Sequence, residues 1–286
     1  MFEYQVQKLA DLAFYSEGPA VGSADEWFVT TLSGRQILRV FRDGKTAVWA
    51  PGDCPNGQVI LSSGEHLVCE SRSGRIATYR ADGSFAGYII NGTCGGIPVQ
   101  TPNDLLVDSS GNLYFTDSIR SDGKVFFRGS DGIEKCVADG IDYANGIALN
   151  RGETRLYVAE SYANRIRVYD LAAPGEPEPG YSCIGLPAHS SLDPACNLPD
   201  GLAVDREGRL WVAHYGMQAI QIISAESTWL FSIDTELPLT SNLAFITDTP
   251  SRKQLLVTGG YGEPGPGAVM QITVLISQKS FPFTVN

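Results

Sequence analysis

Several phrases in the sequence place an Asn or Asp directly before an apolar run. Asn103 precedes DLLVDSSGNLYFTDS, Asn145 precedes GIALNRGETRLYVAES, and Asp200 precedes GLAVDREGRLWVAHYG. Carboxylate and amide oxygens are hard donors that suit Ca²⁺, Mg²⁺ or Mn²⁺ better than they suit soft metals. If the fold brings these residues together, the sequence predicts a divalent-cation site built from oxygen atoms alone.

The phrases belong to a repeat in which a polar residue is followed by two apolar runs, joined by a turn with Gly or Asp, and then by a third run. The copies start at Glu17, Gln58, Asn103, Asn145, Asp200 and Asn242, so they are spaced by 41, 45, 42, 55 and 42 residues. Repeats of about 40–45 residues with several strands are typical of propeller blades. The runs are short and rich in β-branched and aromatic residues, which favours strands over helices.

The sequence therefore predicts an all-β fold, a six-bladed β-propeller with four-stranded blades, as a single domain over residues 1–286. Fourth strands are expected at 46–50, 85–90, 133–138 and 228–234. The last copy lacks such a run, whereas YQVQKLA near the N-terminus has no partner. We expect this N-terminal strand to complete the sixth blade, because that pairing would remove an exposed sheet edge. The Pro- and Gly-rich insert 174–199 and the C-terminal tail are given no role.

In a propeller, the first strand of each blade lines a central channel, so residues at one repeat position face each other. The spacing thus predicts that the six starting residues form a ring at one mouth of the channel. Turn geometry explains a single Asn or Asp before a strand. Six polar side chains in a confined mouth, two of them acids, call for a neutralising charge. One divalent cation would supply it, and oxygen donors admit Ca²⁺, Mg²⁺, Mn²⁺, Fe²⁺ or Zn²⁺.

At these residues the chain resembles the senescence marker protein, gluconolactonase and luciferin-regenerating enzyme family. The motifs that carry the resemblance are SEGP, PND followed by LYFTD, NGIAL followed by LYVAES, and LPDGLAVDREGRLWVAHYG. The resemblance implies a six-bladed propeller with one catalytic divalent cation. It implies that Glu17, Asn145 and Asp200 ligate the metal, and that Asn103 contacts the substrate and metal-bound water.

The sequence departs from the family pattern near Asn103. Members of the animal branch carry an Arg two positions before this Asn, where the present chain has Thr101. The substrate contact implied at that position therefore changes, and we expect Arg120 to supply the missing cation. His189, in the insert before Asp200, is expected to lie over the mouth and touch the substrate.

The resemblance implies a metal-dependent lactonase that opens a small, sugar-type or related lactone. The cation would polarise the carbonyl, and Asp200 would act as the base that activates water, or alternatively as a nucleophile. A phosphotriesterase-like hydrolase on the same metal site and a non-catalytic, metal-stabilised ligand-binding propeller are the alternatives. No GxSxG or GxGxxG phrase supports serine-hydrolase or nicotinamide chemistry.

The composition limits the possible partners of the protein and its location. The net charge is −11 and no Lys/Arg cluster is present, which disfavours nucleic acids and anionic membranes as partners. No basic leader and no run of 18 apolar residues occurs. The six cysteines are scattered, so we expect mostly free thiols, with a Cys183–Cys196 disulfide as the one alternative pairing. The sequence thus predicts a cytoplasmic protein, monomeric or weakly homo-oligomeric, with a small-molecule substrate.

Overall fold

A computed structural model describes residues 2–22, 26–191 and 193–277. These residues form a six-bladed propeller whose blades are antiparallel sheets. The first strands of successive blades contact one another around a closed circle, so they surround a central channel. The predicted all-β, six-bladed fold is confirmed.

Blades 1 to 3 follow the repeat in chain order, each with four strands. Blade 1 consists of Glu17–Val21, Trp27–Thr31, Gln36–Val40 and Thr46–Pro51. Blade 2 consists of Pro55–Ile60, His66–Glu70, Arg75–Tyr79 and Phe85–Asn91. Blade 3 consists of Pro102–Val107, Leu113–Asp117, Gly123–Arg128 and Glu134–Ile141. A two-stranded hairpin, Thr93–Cys94 with Ile97–Pro98, lies between blades 2 and 3 in the chain.

Blades 4 to 6 continue the pattern with one addition and one exchange. Blade 4 consists of Ala144–Leu149, Arg155–Glu160, Arg165–Ala173, Glu176–Pro177 and Ser182–Gly185. Blade 5 consists of Leu198–Val204, Leu210–Tyr215, Ala219–Ile223 and Trp229–Asp234. Blade 6 consists of Leu239–Asp248, Arg252–Gly260, Gly267–Ile276 and Phe2–Leu12. Part of the insert 174–199 thus supplies outer strands of blade 4, and 3₁₀ turns occur at Ser161–Ala163 and Pro194–Cys196.

The N-terminal strand closes the ring as predicted. It pairs antiparallel with the third strand of blade 6, from Phe2 opposite Ile276 to Leu12 opposite Gly267. Because the two ends of the described chain share one sheet, the first and last blades are tied together without a free edge between them. Residues 278–286 of the C-terminal tail lie outside the described residues.

Six apolar clusters hold the blades together, one at each interface between neighbouring blades. The second strands lie between two such clusters and are buried along their length, as in WFVTT of blade 1 and LYFTD of blade 3. The outermost strands are largely exposed. Burial therefore decreases from the channel outward, which holds the inner strands in fixed positions around the mouth.

In the described part of the chain, no helix has the length and apolarity needed to cross a membrane. The six cysteines are free thiols, including Cys183 and Cys196. The alternative disulfide between these two residues is therefore absent from the structure.

Candidate functional site

An irregularity in the first strand of each blade places the polar side chains at the mouth. In blades 2 to 5 the pairing with the second strand is interrupted for two residues and then resumes. A residue in such a bulge is released from the regular alternation of faces. The first residue of the interrupted pair is Asn56, Asn103, Asn145 and Asp200 in blades 2, 3, 4 and 5.

In blade 1 the acid is the residue directly before the interrupted pair, one position earlier than in blades 2 to 5. Glu17 pairs with Thr30, directly before the interruption, and is followed by Gly18. Gly18 has a φ of +45°, and a Cβ there would lie 2.3 Å from the carbonyl oxygen of Asn56. Only glycine permits this approach of blades 1 and 2, so the Gly of SEGP is needed to bring Glu17 beside Asn56.

The five side chains lie around one cavity of about 260 Å³. Glu17, Asn56, Asn103, Asn145 and Asp200 are all buried, with 5 to 8% of their surface exposed. The cavity is completed by Tyr15, Leu32, Tyr143, Ser161, Tyr162, Leu198, Tyr215 and Glu263. The structure therefore brings together Glu17, Asn103, Asn145 and Asp200, the four residues predicted to bind the metal or to take part in catalysis.

The predicted ring is wrong at Gln58 and Asn242. Gln58 lies past the bulge, donates from Nε2 to the Gly18 carbonyl oxygen at 2.7 Å, and meets His66 Nδ1 at 3.0 Å. The Asn242 side-chain oxygen accepts the amide hydrogen of Leu243 at 2.8 Å. Both residues line a separate cavity of about 470 Å³ that includes Asp104.

Asn56 takes the place predicted for Gln58. A signal for it was present, because Asn56 lies in PNG, which matches PND, ANG and PDG of the next three blades. In blade 6 the corresponding position is Ser241, whose hydroxyl donates to the Ser16 carbonyl oxygen at 2.8 Å. Within the described residues, the first strand of blade 6 therefore contributes no side chain to this cavity.

The two acids of the ring, Glu17 and Asp200, have raised pKa values. Burial and the nearby Asp104 carboxylate raise the pKa of Glu17 to about 8. Burial, together with Glu17 and Asp104, raises the pKa of Asp200 well above its ordinary range. The Tyr15 hydroxyl donates to Glu17 at 3.3 Å. A bound cation would reverse these shifts, because opposite charge favours the ionised carboxylates.

Two amide oxygens of the ring also lack partners. Among the described residues, the side-chain oxygens of Asn56 and Asn145 are buried without a hydrogen bond. The Asn145 side-chain nitrogen donates to the Ser161 hydroxyl at 3.2 Å, so the oxygen of Asn145 is the atom left free. Unpaired buried acceptors are rare because each costs about 1–3 kcal/mol.

The donor set fits a hard divalent cation. It consists of two carboxylates that repel each other and of amide oxygens without partners, which are ligands that such cations prefer. The described residues hold no group of three or more His, Cys, Asp or Glu with the spacing of a metal site, so amide oxygens must complete this one. Soft-metal coordination is disfavoured because no Cys or His lines the cavity in the described part of the chain.

Thr101, Arg120 and His189 are not among the described residues that line the cavity. The Thr101 amide donates to Asp117 at 2.5 Å, at the end of the blade. The His189 ring nitrogen Nδ1 lies 2.7 Å from the Ser191 hydroxyl, within the insert. Their contacts with a substrate remain predictions.

Arg120 has an indirect relation to the cavity. Its guanidinium pairs with Asp142, with Nε 2.8 Å from the carboxylate, and lies 3.5 Å from the ring centroid of Tyr162. Tyr162 in turn lines the cavity. Arg120 therefore contacts one residue that lines the cavity, and its charge is paired with Asp142.

Comparison with known proteins agrees with this architecture. A pentonolactonase of Haloferax volcanii is 27% identical over 255 residues, which cover 79% of this chain and 85% of that protein. A solved structure described as a gluconolactonase of Xanthomonas campestris has a TM-score of 0.79 and 25% identity, covering 95% of this chain and 90% of that one. Regucalcin of Agrobacterium tumefaciens, described as a calcium-binding protein, has a TM-score of 0.73 and 18% identity over 96% of both chains, which shows a shared fold.

The family pattern described as the SMP-30/gluconolactonase/LRE-like region matches residues 15–260. This range includes blades 1 to 5 and the first two strands of blade 6. It also includes the five polar residues around the cavity, here called the oxygen ring: Glu17, Asn56, Asn103, Asn145 and Asp200. The chain belongs to the SMP-30/gluconolactonase/LRE-like family.

Proposed function

We propose that the protein is a divalent-metal-dependent lactonase that opens a small lactone. The observation that carries the proposal is the oxygen ring, in which Glu17 and Asp200 have raised pKa values and two amide oxygens have no partner. A cation would resolve both unfavourable features at once. The named lactonases among its relatives supply the reaction class.

Glu17, Asn145 and Asp200 would hold the cation, and Asn56 is proposed as a further oxygen donor. Ca²⁺ is the first choice, because the donors are all oxygen atoms and five residues that carry them line the cavity. The calcium-binding description of the regucalcin neighbour supports this choice. When bound, the cation would supply Lewis acidity toward the lactone carbonyl and stabilise developing negative charge on its oxygen.

Asp200 is proposed as the general base. A water oxygen attacks the carbonyl carbon while a carboxylate oxygen of Asp200 accepts a proton from that water. The acyl carbon–oxygen bond of the ring then breaks, and the leaving oxygen takes a proton to give a hydroxy acid. The position of Asp200 supports this role, since it is one of two carboxylates of the oxygen ring and lines the cavity that would hold the substrate.

Asn103 is proposed to orient the substrate. Asn103 is buried, with 8% of its surface exposed. It lines the same cavity as Asn56 and Asn145. The backbone of Asn103 packs closely against blade 2, because a Cβ on Gly57 would lie 2.7 Å from the Asn103 carbonyl oxygen. This contact fixes where the side chain starts, and its amide can donate a hydrogen bond to a substrate in the cavity.

The test is an acid-release assay with a pH indicator on five- and six-membered lactones and one phosphotriester. The protein is stripped with chelator and refilled with single metals. We expect lactone hydrolysis that returns with Ca²⁺ or another divalent ion and is absent in Asp200→Asn. The control is Asp43→Asn, which removes an exposed carboxylate from a turn of blade 1.

Three outcomes would contradict the proposal. Hydrolysis of the phosphotriester alone would assign the site to a phosphotriesterase-like enzyme. Metal-dependent thermal stabilisation without hydrolysis of any compound would indicate a ligand-binding propeller. Full activity after removal of all metal would refute the metal dependence.

A further inference from the structure

Four tyrosines line the cavity from its floor to its rim. Tyr15 is buried, Tyr143 and Tyr215 are half-buried, and Tyr162 is exposed. They form two edge-to-face pairs, Tyr15 with Tyr215 at 6.2 Å between ring centroids and Tyr143 with Tyr162 at 5.6 Å. Aromatic faces carry negative potential and attract cations within about 6 Å of the ring centroid.

A carboxylate lies among these rings. Glu263, on the loop between the second and third strands of blade 6, lines the same cavity and is exposed at its rim. The Tyr215 hydroxyl donates to Glu263 Oε1 at 2.9 Å, so the acid is held at the aromatic wall. It is not one of the donors proposed for the cation.

The cavity offers no basic side chain to balance this acid. Its charged residues in the described chain are Glu17, Asp200 and Glu263, and none is Lys, Arg or His. A divalent cation would offset the first two carboxylates, which leaves Glu263 as the uncompensated charge. Arg120, whose guanidinium lies over the ring of Tyr162, does not line the cavity and is already paired with Asp142.

We propose that the tyrosines and Glu263 form a subsite for a positively charged substituent of the substrate, such as an ammonium group. The protein then takes cationic or neutral lactones and rejects carboxylated or phosphorylated ones, because no Lys, Arg or His among the described residues lines the cavity to pair with an added anion. The lactone part of this statement rests on the proposed function, whereas the cation subsite can be tested by binding alone.

The binding test compares choline with 3,3-dimethylbutan-1-ol, which has the same shape without the charge. Affinity for the Ca²⁺-loaded protein is measured by calorimetry. We expect choline to bind about tenfold more tightly, as for a partly desolvated cation–π contact. Glu263→Gln should reduce this preference several-fold, and Glu263→Lys should abolish it.

The matched control is Glu226→Lys. Glu226 is exposed in the turn between the third and fourth strands of blade 5, at the end of the propeller opposite the oxygen ring. It makes the same charge change without touching the subsite, so the choline preference should be unchanged. Melting temperatures of all variants establish that they are folded, and Glu263→Gln keeps the test valid if Glu263→Lys is unstable.

The turnover test uses one five-membered ring with a trimethylammonio, a tert-butyl or a carboxylate substituent. We expect kcat/KM to fall in that order and Glu263→Lys to favour the carboxylate. Equal binding of choline and its neutral analogue, or equal kcat/KM for the first two lactones, would overturn the subsite while leaving the lactonase proposal intact. Glu263-dependent choline binding without hydrolysis of any lactone would support the subsite and refute the proposed function.

Discussion

The raised pKa of Glu17 predicts how the stability of the metal-free protein depends on pH. Burial and Asp104 raise this pKa from 4.5 to about 8. Between these values the folded protein keeps a proton that the unfolded chain releases. The stabilising contribution of the group is therefore fully present below pH 4.5 and is lost as the pH rises through 8.

The magnitude follows from these two pKa values. At about 1.4 kcal/mol per pKa unit, the full loss is about 5 kcal/mol, and about 2 kcal/mol of it falls between pH 6.5 and 8.5. His66 and His214 act in the opposite sense, because burial lowers the pKa of both from 6.5 to about 4 and they gain protons only on unfolding. At pH 6.5 the unfolded chain still binds part of these protons, so the two histidines offset about 0.8 kcal/mol of the loss across the window.

The assay is urea unfolding of chelator-treated protein at pH 6.5, 7.5 and 8.5. We expect the wild-type free energy of unfolding to fall by about 1 kcal/mol or more across this window, as the net of Glu17 and the two histidines. Glu17→Gln should lose less, and the double variant with Asp200→Asn should show no decline, because only the opposing contribution of the histidines remains. Glu226→Gln, which removes an exposed carboxyl far from the ring, should follow the wild type.

Excess Ca²⁺ should remove the decline, because a cation in the ring stabilises the ionised carboxylates. The reasoning is refuted if metal-free wild type and Glu17→Gln show the same slope. It is also refuted if the wild-type stability rises over this window while the protein stays folded.

Three further predictions concern the same ring. Asn56→Leu removes a buried oxygen without a partner, so the metal-free protein should gain about 1–3 kcal/mol of stability while Ca²⁺ affinity falls; unchanged affinity by calorimetry would exclude Asn56 as a donor. Gly146→Ala places a Cβ 2.1 Å from the Asp200 carbonyl oxygen, whereas a Cβ on Gly152 meets nothing closer than 3.7 Å. Gly146→Ala should therefore lower both the melting temperature and Ca²⁺ affinity, with Gly152→Ala as the control, and equal behaviour of the two variants would contradict a tight blade contact. Asp200→Asn should retain the fold by circular dichroism and lose lactone hydrolysis; wild-type turnover would exclude Asp200 as the base.

The blade architecture was predictable because it depends on local patterns. Each blade is a run of neighbouring strands whose apolar residues and turns recur along the chain, so the repeat period alone indicates the fold. The place of the N-terminal strand was also accessible, since YQVQKLA was an apolar strand without a partner and blade 6 lacked one. The structure pairs it with Gly267–Ile276.

The oxygen ring was predicted only in part, and the reason is strand register. Successive side chains in a strand point to opposite faces, so an error of one or two positions moves a side chain away from the mouth. Gln58 lies two positions beyond Asn56, and Asn242 lies one beyond Ser241. The spacing of the repeat could not locate the residue of each strand to within one or two positions. The PNG triplet at Asn56, which matches PND and PDG, indicates the correct alignment for blade 2.

The sequence by itself determined the number of blades, their closure and the oxygen-rich chemistry of Glu17, Asn103, Asn145 and Asp200, because these features repeat with the chain. Only the tertiary structure decided which other side chains share that cavity. Glu263 meets Tyr215 across 48 residues of sequence, through a loop that belongs to no repeat. Contacts of this kind depend on where separate loops converge in space, and the charge and shape that they give the mouth therefore emerge only when the propeller is closed.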